Sequence, residues 1–194
     1  MDHFISRLVE LTANTPAAEF HDPPQFLANT DPDQVDNRFT RADARDFYTR
    51  HNPVEVVVES IWQDITFYPF ADLDDQQIGY ATDSRTGEAV ADWPPNMLVI
   101  ADSGGDPIMM DPSVNGEVFF AIHGTGSWDP QPIAKDISGL LTLSIAWLEM
   151  SEQRGDELYD EPDDLHPASI ALFRDLAAAQ GVENRHIQNV ISLR

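Results

Sequence analysis

Residues 97–128 constrain the fold more than any other stretch, because they alternate three apolar runs with two turn sequences. The first run is continuous and contains β-branched residues, which is typical of a strand buried on both faces. Residues 102–106 follow it and read Asp-Ser-Gly-Gly-Asp, a composition that tolerates positive φ and favours a tight turn. The second connection ends in Asn115-Gly116, a common hairpin dipeptide. Three consecutive antiparallel strands are therefore predicted, at residues 97–101, 108–110 and 117–122.

The N-terminal half of the chain mixes helical and extended patterns. Residues 3–11 carry apolar side chains at helical spacing and predict an amphipathic helix. Residues 12–37 are rich in Pro, Asn and Asp, so an irregular extension is expected there. Thr40 and Asp43 resemble a capping box that opens a helix through Arg50. Two further strands of the same sheet are predicted at residues 54–59 and 64–70.

The region after residue 128 is expected to be mainly helical. Asp136 or Ser138 is predicted to cap an apolar helix that lies against the sheet. The acid-rich residues 149–164 predict a loop or linker, after which Pro167 begins another helix. Residues 186–193 fit either a short strand or a helix, because the spacing of their apolar side chains does not decide the period.

The charge of the chain is extreme, with 34 acidic residues against 11 lysines and arginines and a formal net charge of -23. Because binding of a phosphate backbone depends on Lys and Arg, direct binding of nucleic acid or of an anionic membrane surface is disfavoured. A negative field of this size speeds encounter with a basic protein partner. The alternative interpretation is solubility, or adaptation to a salty cytoplasm, with the acids forming a solvated face.

Clustered acids and nearby aromatic residues are the candidate contact points for a basic partner. Trp62, Tyr80 and Trp93 lie near acids in predicted loops or strand ends. Aromatic residues often anchor interfaces, although they are more often buried in the core. The residues predicted to contact the partner are Asp72, Asp74, Asp75, Trp93, Asp102, Asp106, Glu152, Asp156 and Glu157.

The absence of cysteine and the hydropathy of the chain narrow its class further. Without cysteine the protein has neither disulfides nor thiolate zinc sites. It contains no run of about 18 apolar residues and no signal-peptide pattern at its N-terminus, so a cytoplasmic protein is expected. No cofactor is predicted.

A catalytic alternative rests on Ser103 and His123, which with a nearby aspartate would form a Ser, His and Asp set beside Gly-rich turns. Neither segment contains Gly-x-Ser-x-Gly, and a serine in a turn usually bonds the backbone. The histidines lack metal-ligand spacing, and the acidic runs lack the EF-hand pattern. A loose divalent-cation site at Asp72, Asp74 and Asp75 is a further alternative that no motif supports. The chain is therefore expected not to be an enzyme.

Five sequence features occur in an order that is typical of one known family. They are Tyr48-Thr49-Arg50-His51-Asn52, Ile65-Thr66-Phe67-Tyr68-Pro69-Phe70, residues 97–106, Gly116-Glu117-Val118-Phe119 with His123 and Trp128, and the predicted helix at 137–150. On these features, residues 41–150 resemble the SMI1/KNR4 family, also called the SUKH superfamily. The chain departs from its relatives in reading Asn52-Pro53 where they usually read Asn-Gly, and in long extensions at both ends.

The resemblance implies an α+β domain without catalytic chemistry, with helices around a mostly antiparallel sheet and, here, helical N- and C-terminal extensions. Bacterial members are mainly immunity proteins that neutralise a cognate toxin, often a nuclease, and fungal relatives are scaffolds regulating cell-wall synthesis. We expect a single domain over residues 1–194, with an N-terminal extension (1–40), a family-like core (41–150) and an acidic loop with a C-terminal helix (151–194). The predicted function is binding of a basic toxin domain. The alternatives are an intracellular scaffold or regulatory adaptor, and a hydrolase.

Overall fold

The computed structural model of the chain describes residues 1–14, 23–54, 56–113, 116–161 and 164–193. It has the predicted α+β fold, in which an antiparallel sheet of six strands is flanked by helices. The helices of the described residues are α1 (Asp2–Thr12), α2 (Pro32–Arg38), α3 (Ala42–Arg50), α4 (Ile137–Arg154), α5 (Pro167–Ala179) and α6 (Asn184–Ser192). The strands are β1 (Gln25–Leu27), β2 (Asn52–Val54), β3 (Val56–Val58), β4 (Ile65–Phe67), β5 (Leu98–Ser103), β6 (Asp106–Met110), β7 (Val118–Phe120), β8 (Gln131–Ala134), β9 (Tyr159–Glu161) and β10 (Asp164–Leu165).

The main sheet is an antiparallel meander in the order β3-β4-β5-β6-β7-β8. The three strands predicted within residues 97–128 are β5, β6 and β7, and they are neighbours in this sheet. Gly104 and Gly105 form the turn between β5 and β6 at φ values of +61° and +90°. This conformation accounts for the glycine pair, because residues with a side chain rarely adopt positive φ. The predicted turn at Asn115 lies outside the described residues.

The register of the strands separates the two faces of the sheet. Ile65 pairs with Ser103, and Ser103 pairs with Asp106, so these three side chains share one face. Helix α4 covers this inner face, since Ile65 and Leu140 line the same small cavity. Asp102, one residue before Ser103, points to the opposite, outer face. The segment between β4 and β5 contacts the β5–β6 turn, because the Tyr80 hydroxyl donates to the carbonyl oxygen of Gly105.

Helix α4 is the centre of the hydrophobic core. Its side chains are buried around most of its circumference, and it contacts α1, α5 and β8. A helix that is apolar on nearly all sides is expected inside a domain rather than on its surface. The Asp136 carboxylate accepts the backbone N–H of Gly139 at 2.8 Å, so Asp136 rather than Ser138 caps this helix.

Two predictions for the N-terminal half are wrong. The N-cap of α3 is Arg41, and no side chain caps this helix. The Thr40 hydroxyl donates instead to the carbonyl oxygens of Pro112 and Ser113, at 3.3 and 2.8 Å, because the loop before β7 lies within its reach. The predicted irregular extension contains β1 and α2, the latter capped by Asp31. Residues 15–22 of that extension lie outside the described residues.

The acid-rich residues 149–164, predicted as a loop, contain regular structure. Helix α4 continues to Arg154 and ends at Gly155, which has a φ of +50°. A 3-10 turn over Gly155–Glu157 leads to β9, which pairs with β10. Acids that point to solvent do not prevent a helix, and α4 continues through four polar residues before Gly155. Asp163 of this stretch lies outside the described residues.

Residues 186–193, which the sequence left as either a strand or a helix, lie mostly in helix α6. This helix covers the β8 edge of the main sheet. The side-chain amide of Asn189 donates to the carbonyl oxygen of Pro132 at 2.7 Å. A covered edge strand cannot pair with another chain. No helix among the described residues is both long enough and apolar enough to cross a membrane.

Candidate functional site

The residues predicted to contact a partner fall into three structural settings. The first is a pair of short 3-10 turns after β4, which carries Asp72, Asp74 and Asp75. The second is the β5–β6 turn, flanked by Asp102 and Asp106, together with the segment between β4 and β5 that carries Trp93. The third is the C-terminal end of α4. The structure therefore does not bring all the predicted contact residues together.

The three aspartates of the first setting differ in their partners. Asp74 pairs with Arg38 of α2 at 2.7 Å, although its side chain is 83% exposed. Asp72 and Asp75 are exposed, and their side chains make no hydrogen bond or ion pair with a described residue. The described residues contain no group of three or more ligand-type side chains that could hold a metal ion. The divalent-cation alternative therefore has no support from this geometry.

Trp93 belongs to an aromatic group on the outer face, in the second setting. We define the outer cluster as Tyr68, Tyr80, Trp93, Trp128 and Asp102. Trp93 and Trp128 pack edge to face with their ring centroids 5.0 Å apart, and Tyr80 lies 6.3 and 6.1 Å from them. These separations are typical of favourable aromatic pairs. The indole N–H of Trp93 donates to the carbonyl oxygen of Met97 at 3.1 Å, which fixes the ring against its own loop.

The tyrosine hydroxyls and the carboxylate of the outer cluster are hydrogen-bonded within the domain. The Tyr68 hydroxyl donates to the Asp102 carboxylate, which also accepts the backbone N–H of Gly105 at 3.1 Å. The Tyr80 hydroxyl donates to the carbonyl oxygen of Gly105 at 2.9 Å. Burial, together with the negative charges of Asp102 and Asp106, raises the pKa of Tyr80 to about 12. Tyr80 therefore remains a protonated donor that helps to hold the β5–β6 turn.

The residues of the catalytic alternative are engaged in turn structure. The Ser103 hydroxyl donates to the carbonyl oxygen of Gln63 at 2.9 Å and accepts the backbone N–H of Gln63 at 3.2 Å. Asp106 accepts the backbone N–H of His123 at 2.8 Å, and its Oδ1 lies 2.6 Å from Nδ1 of the same residue. Because its hydroxyl bonds the main chain, Ser103 is not arranged as an activated nucleophile. The geometry gives the hydrolase alternative no support.

A groove at the C-terminal end of α4 forms the third setting, and we call it the acidic groove. It has a volume of about 670 Å³ and runs between the end of α4 and the β3–β4 turn. Glu152 and Asp156 line it from the helix side, and Glu59 and Asp64 line it from the turn. The described residues that line the groove include no Lys, Arg or His. The charged side chains among these lining residues are therefore all acidic.

Two aromatic residues supply the apolar part of the acidic groove. Trp62 stacks on Phe120 with ring centroids 4.2 Å apart, and its indole N–H donates to the main chain of α6 at 3.2 Å. Tyr159 is 50% exposed. Beyond these two rings the surface continues into a shallower depression of about 290 Å³, bordered by Ile122, which is 43% exposed. A rigid, partly exposed indole beside exposed apolar side chains is a common arrangement at protein interfaces.

Two carboxylates of the groove, those of Glu152 and Asp156, have no arginine partner among the described residues. The side chains of Glu152 and Asp156 make no hydrogen bond or ion pair with a described residue. Arg154 instead pairs with Glu157 at 3.2 Å and donates to the Ser169 hydroxyl at 3.1 Å. Glu157, another predicted contact residue, does not line the groove. Its side chain is paired with Arg154 instead. The carbonyl end of α4 adds the partial negative charge of the helix dipole.

The sequence predicts only part of the groove. Glu152 and Asp156 are among the predicted contacts, and Trp62 is a candidate anchor. Glu59, Asp64 and Tyr159 are missed, because the two walls come from segments far apart in the chain that no local motif connects. Only the packing of the β3–β4 turn beside the end of α4 places them together.

A comparison with protein families gives a match to the model of the SMI1 / KNR4 family (SUKH-1) over residues 42–143, which is more than half of the chain. The matched region begins in α3, contains the main sheet and ends within α4. The β3–β4 turn lies inside it, whereas Glu152, Asp156 and Tyr159 lie beyond it. No curated protein and no solved structure matches the chain. The acidic groove therefore combines one wall from the family core with one from the C-terminal extension.

Proposed function

The chain belongs to the SMI1/KNR4 family (SUKH-1), and on that premise we propose that it is an immunity-type protein that neutralises a cognate toxin by binding it. The family is generally non-catalytic, so binding alone is the proposed activity. The proposed partner is basic, and a nuclease toxin has that character because it holds phosphates with Lys and Arg. An acidic protein covering such a surface blocks access of the nucleic acid.

The acidic groove is the observation that carries this proposal. Its lining carboxylates share one sign of charge, and Trp62 and Tyr159 supply an apolar centre. Interfaces commonly combine a buried aromatic centre with a polar rim. Complementary charge raises the rate of association and disfavours acidic partners. These features support a specific basic partner better than they support solubility alone.

The test uses the full chain and any toxin domain that a neighbouring gene encodes. We expect coexpression to restore growth of cells that the toxin alone kills. The purified pair should bind with a Kd that weakens about tenfold or more between roughly 0.05 and 0.5 M NaCl, because salt screens the charges. If the neighbouring protein is neither bound nor neutralised, the immunity proposal is wrong. Co-purification with a larger cellular complex would instead support the scaffold or adaptor alternative.

A further inference from the structure

Strand β1 (Gln25–Leu27) pairs with another strand on one side only, among the described residues. Its partner is β2, in antiparallel orientation, and Phe26 lies opposite Pro53. Because proline has no N–H, Phe26 and Pro53 cannot form a hydrogen-bonded pair, so the ladder bonds join the residues on either side of them. The N–H and C=O groups of Phe26 therefore point away from β2, toward the open edge.

The residues that follow β1 continue this alternation. The backbone N–H of Asn29 donates to the carbonyl oxygen of Thr49 at 2.8 Å, shortly before β2 begins. Asn29 and Leu27 therefore point to the β2 side, and Ala28 between them points outward. The outward N–H groups of Phe26 and Ala28 have no acceptor among the described residues. Such a row of main-chain groups is what an added strand pairs with.

The β8 edge of the main sheet is protected in a way that β1 is not. Helix α6 contacts β8 and covers that edge, whereas β1 contains no charged residue and Gln25, Leu27 and Ala28 are exposed. Pro24, just before the strand, lacks an N–H but leaves the donors of Phe26 and Ala28 in place. Proteins usually shield an open edge with charges, a bulge or a covering element. An unshielded edge is typical of a strand that receives a partner.

A cleft of about 760 Å³ lies beside β1 and offers contacts for side chains. Leu27, Asn52 and Val54 line it, and they share one face of the β1–β2 pair. The cleft is bordered by α2 and by the 3-10 turn Phe70–Asp72. Leu27 is 52% exposed, so about half of a large apolar side chain is left for a partner to bury.

The chemistry of the edge and the cleft indicates an extended polypeptide as the occupant. The alternating N–H and C=O groups of a strand edge are matched by the backbone of another strand. The uncharged polar residues that line the cleft are mainly side-chain amides, namely Asn29, Thr30, Gln34, Asn37 and Asn52.

The charge around the cleft favours a basic segment. Asp31, Asp74 and Arg38 are the charged residues that line it, and Arg38 is already paired with Asp74. With a net charge of -23 on the chain, a basic segment is attracted and an acidic one is repelled. A second copy of this chain is disfavoured for the same reason.

We propose that β1 binds an extended segment of a basic protein, which pairs with the open edge of the strand through main-chain hydrogen bonds. An apolar side chain of that segment packs on Leu27 and Val54 in the cleft. This inference rests on the proposed function, since the segment belongs to the toxin that the protein neutralises. It adds a main-chain contact to the charge contacts proposed for the acidic groove.

The experiment measures amide hydrogen exchange by NMR spectroscopy, with and without a short blocked peptide of alternating arginine and valine. In the free protein, the amides of Gln25 and Leu27 should exchange more slowly than those of Phe26 and Ala28, because only the former are bonded to β2. The peptide should slow exchange of the Phe26 and Ala28 amides about tenfold or more. Unchanged exchange of both amides at about 1 mM peptide would overturn the inference.

Two controls separate main-chain pairing from attraction by charge. The same peptide with methylated backbone nitrogens keeps its charges but has no main-chain donors, so it should protect neither amide. Ala28→Pro removes one outward N–H at an exposed position and should weaken peptide binding about fivefold or more, whereas Ala28→Ser keeps the N–H and should change it less than about twofold. Equal binding of the two peptides would overturn the inference, because it would show a response to charge alone.

A second pair of variants tests the apolar contact in the cleft. Leu27 and Ile78 are 52% and 54% exposed, and only Leu27 lines the cleft. We expect Leu27→Ala to weaken peptide binding about threefold or more and Ile78→Ala to change it less than about twofold. Equal losses would show that the cleft does not receive the side chain. Circular dichroism of each variant verifies that it is folded.

Failure of the inference is distinguishable from failure of the proposed function, because the exchange measurement is repeated with the neighbouring toxin. If the toxin binds and is neutralised while Phe26 and Ala28 stay unprotected, the immunity function stands and the β1 assignment is wrong. If the peptide protects both amides but the toxin is not bound, the β1 assignment stands and the partner is another basic protein. Protection that rises with the concentration of the protein alone would identify a second copy as the occupant and overturn the inference.

Discussion

The outer cluster and the acidic groove are built from the same residue types, aromatic rings and carboxylates, but their polar atoms find partners in different places. In the outer cluster, Asp102 accepts hydrogen bonds from the Tyr68 hydroxyl and from the backbone N–H of Gly105. In the groove, Glu152 and Asp156 have no partner among the described residues. The tyrosine hydroxyls and Asp102 of the first region are hydrogen-bonded within the domain, whereas the carboxylates of Glu152 and Asp156 have no described partner.

We propose that the partners of a carboxylate, rather than the local density of acids, distinguish a structural role from a binding role. Satisfied polar networks stabilise the fold. Unpaired charges of one sign reduce its stability, and such a cost is commonly retained where function requires it. Asp74 illustrates the intermediate case, since it lies in a dense acidic group but pairs with Arg38.

Charge reversal in the groove should have the largest effect on function. Glu152→Lys with Asp156→Lys is expected to weaken toxin binding about 100-fold or more, which corresponds to about 2.7 kcal/mol, because like charges then meet across the interface. Asp72→Lys with Asp75→Lys makes the same change in net charge and should cost less than about threefold. Isothermal titration calorimetry at fixed salt measures both. An equal loss in the two variants would erase the distinction between the groove and the other acids.

Removing the central carboxylate of the outer cluster should affect stability rather than binding. Asp102→Ala leaves the Tyr68 hydroxyl, on a side chain that is 8% exposed, without its acceptor. We expect a loss of about 2 kcal/mol in the free energy of unfolding, within the range for hydrogen bonds to a charged group. Urea unfolding measures this loss, with Asp72→Asn as a control expected within about 0.5 kcal/mol of the natural chain. Weakened toxin binding by the folded Asp102→Ala protein would contradict the assignment of the outer cluster to structure.

Elements with strong local signals could be predicted from the sequence. The central strands follow from their apolar runs, and the β5–β6 turn follows from Gly104-Gly105, whose positive φ values only glycine adopts readily. Helices α4 and α5 follow from their apolar spacing and from the residues at their N-termini, Asp136 and Pro167. In each case one short segment contains the whole signal.

The remaining features depend on contacts between distant segments. Thr40 has the sequence context of a capping residue, but its hydroxyl bonds the loop before β7. Among the predicted contacts, no sequence feature distinguishes Asp102 from Glu152. Only the structure shows that the Asp102 carboxylate is hydrogen-bonded, whereas the Glu152 carboxylate has no described partner. The groove itself has walls from the β3–β4 turn and from the end of α4, which no periodicity connects.

The pH dependence of stability offers a smaller test of the outer cluster. Burial, with the charges of Asp102 and Asp106, raises the pKa of Tyr80 from about 10 in the unfolded chain to about 12 in the folded one. The folded state therefore keeps a proton that the unfolded state loses, so this contribution is present below pH 10 and is lost as the pH rises toward 12. Tyr80→Phe should reduce the fall in stability over this window by on the order of 1 kcal/mol, after allowance for solvent screening. Urea unfolding at pH 9 and 11.5 checks it, and identical slopes for both proteins would contradict the role of Tyr80.

The smallest expected effect has the opposite sign and addresses the groove without its partner. Glu152→Gln with Asp156→Asn removes two carboxylates that line the groove together with other acids, at the negative end of α4. We expect this variant to be more stable than the natural chain by about 0.5 kcal/mol at low salt, because repulsion is relieved, and the difference to shrink as NaCl is added. Asp74→Asn, which breaks the pair with Arg38, should not be stabilising, and urea unfolding of both variants makes the comparison. A loss of stability in the groove variant would mean that Glu152 and Asp156 support the fold as Asp102 does. The carboxylates of a binding surface are instead expected to destabilise the free protein, and to become favourable only when a cationic partner is bound.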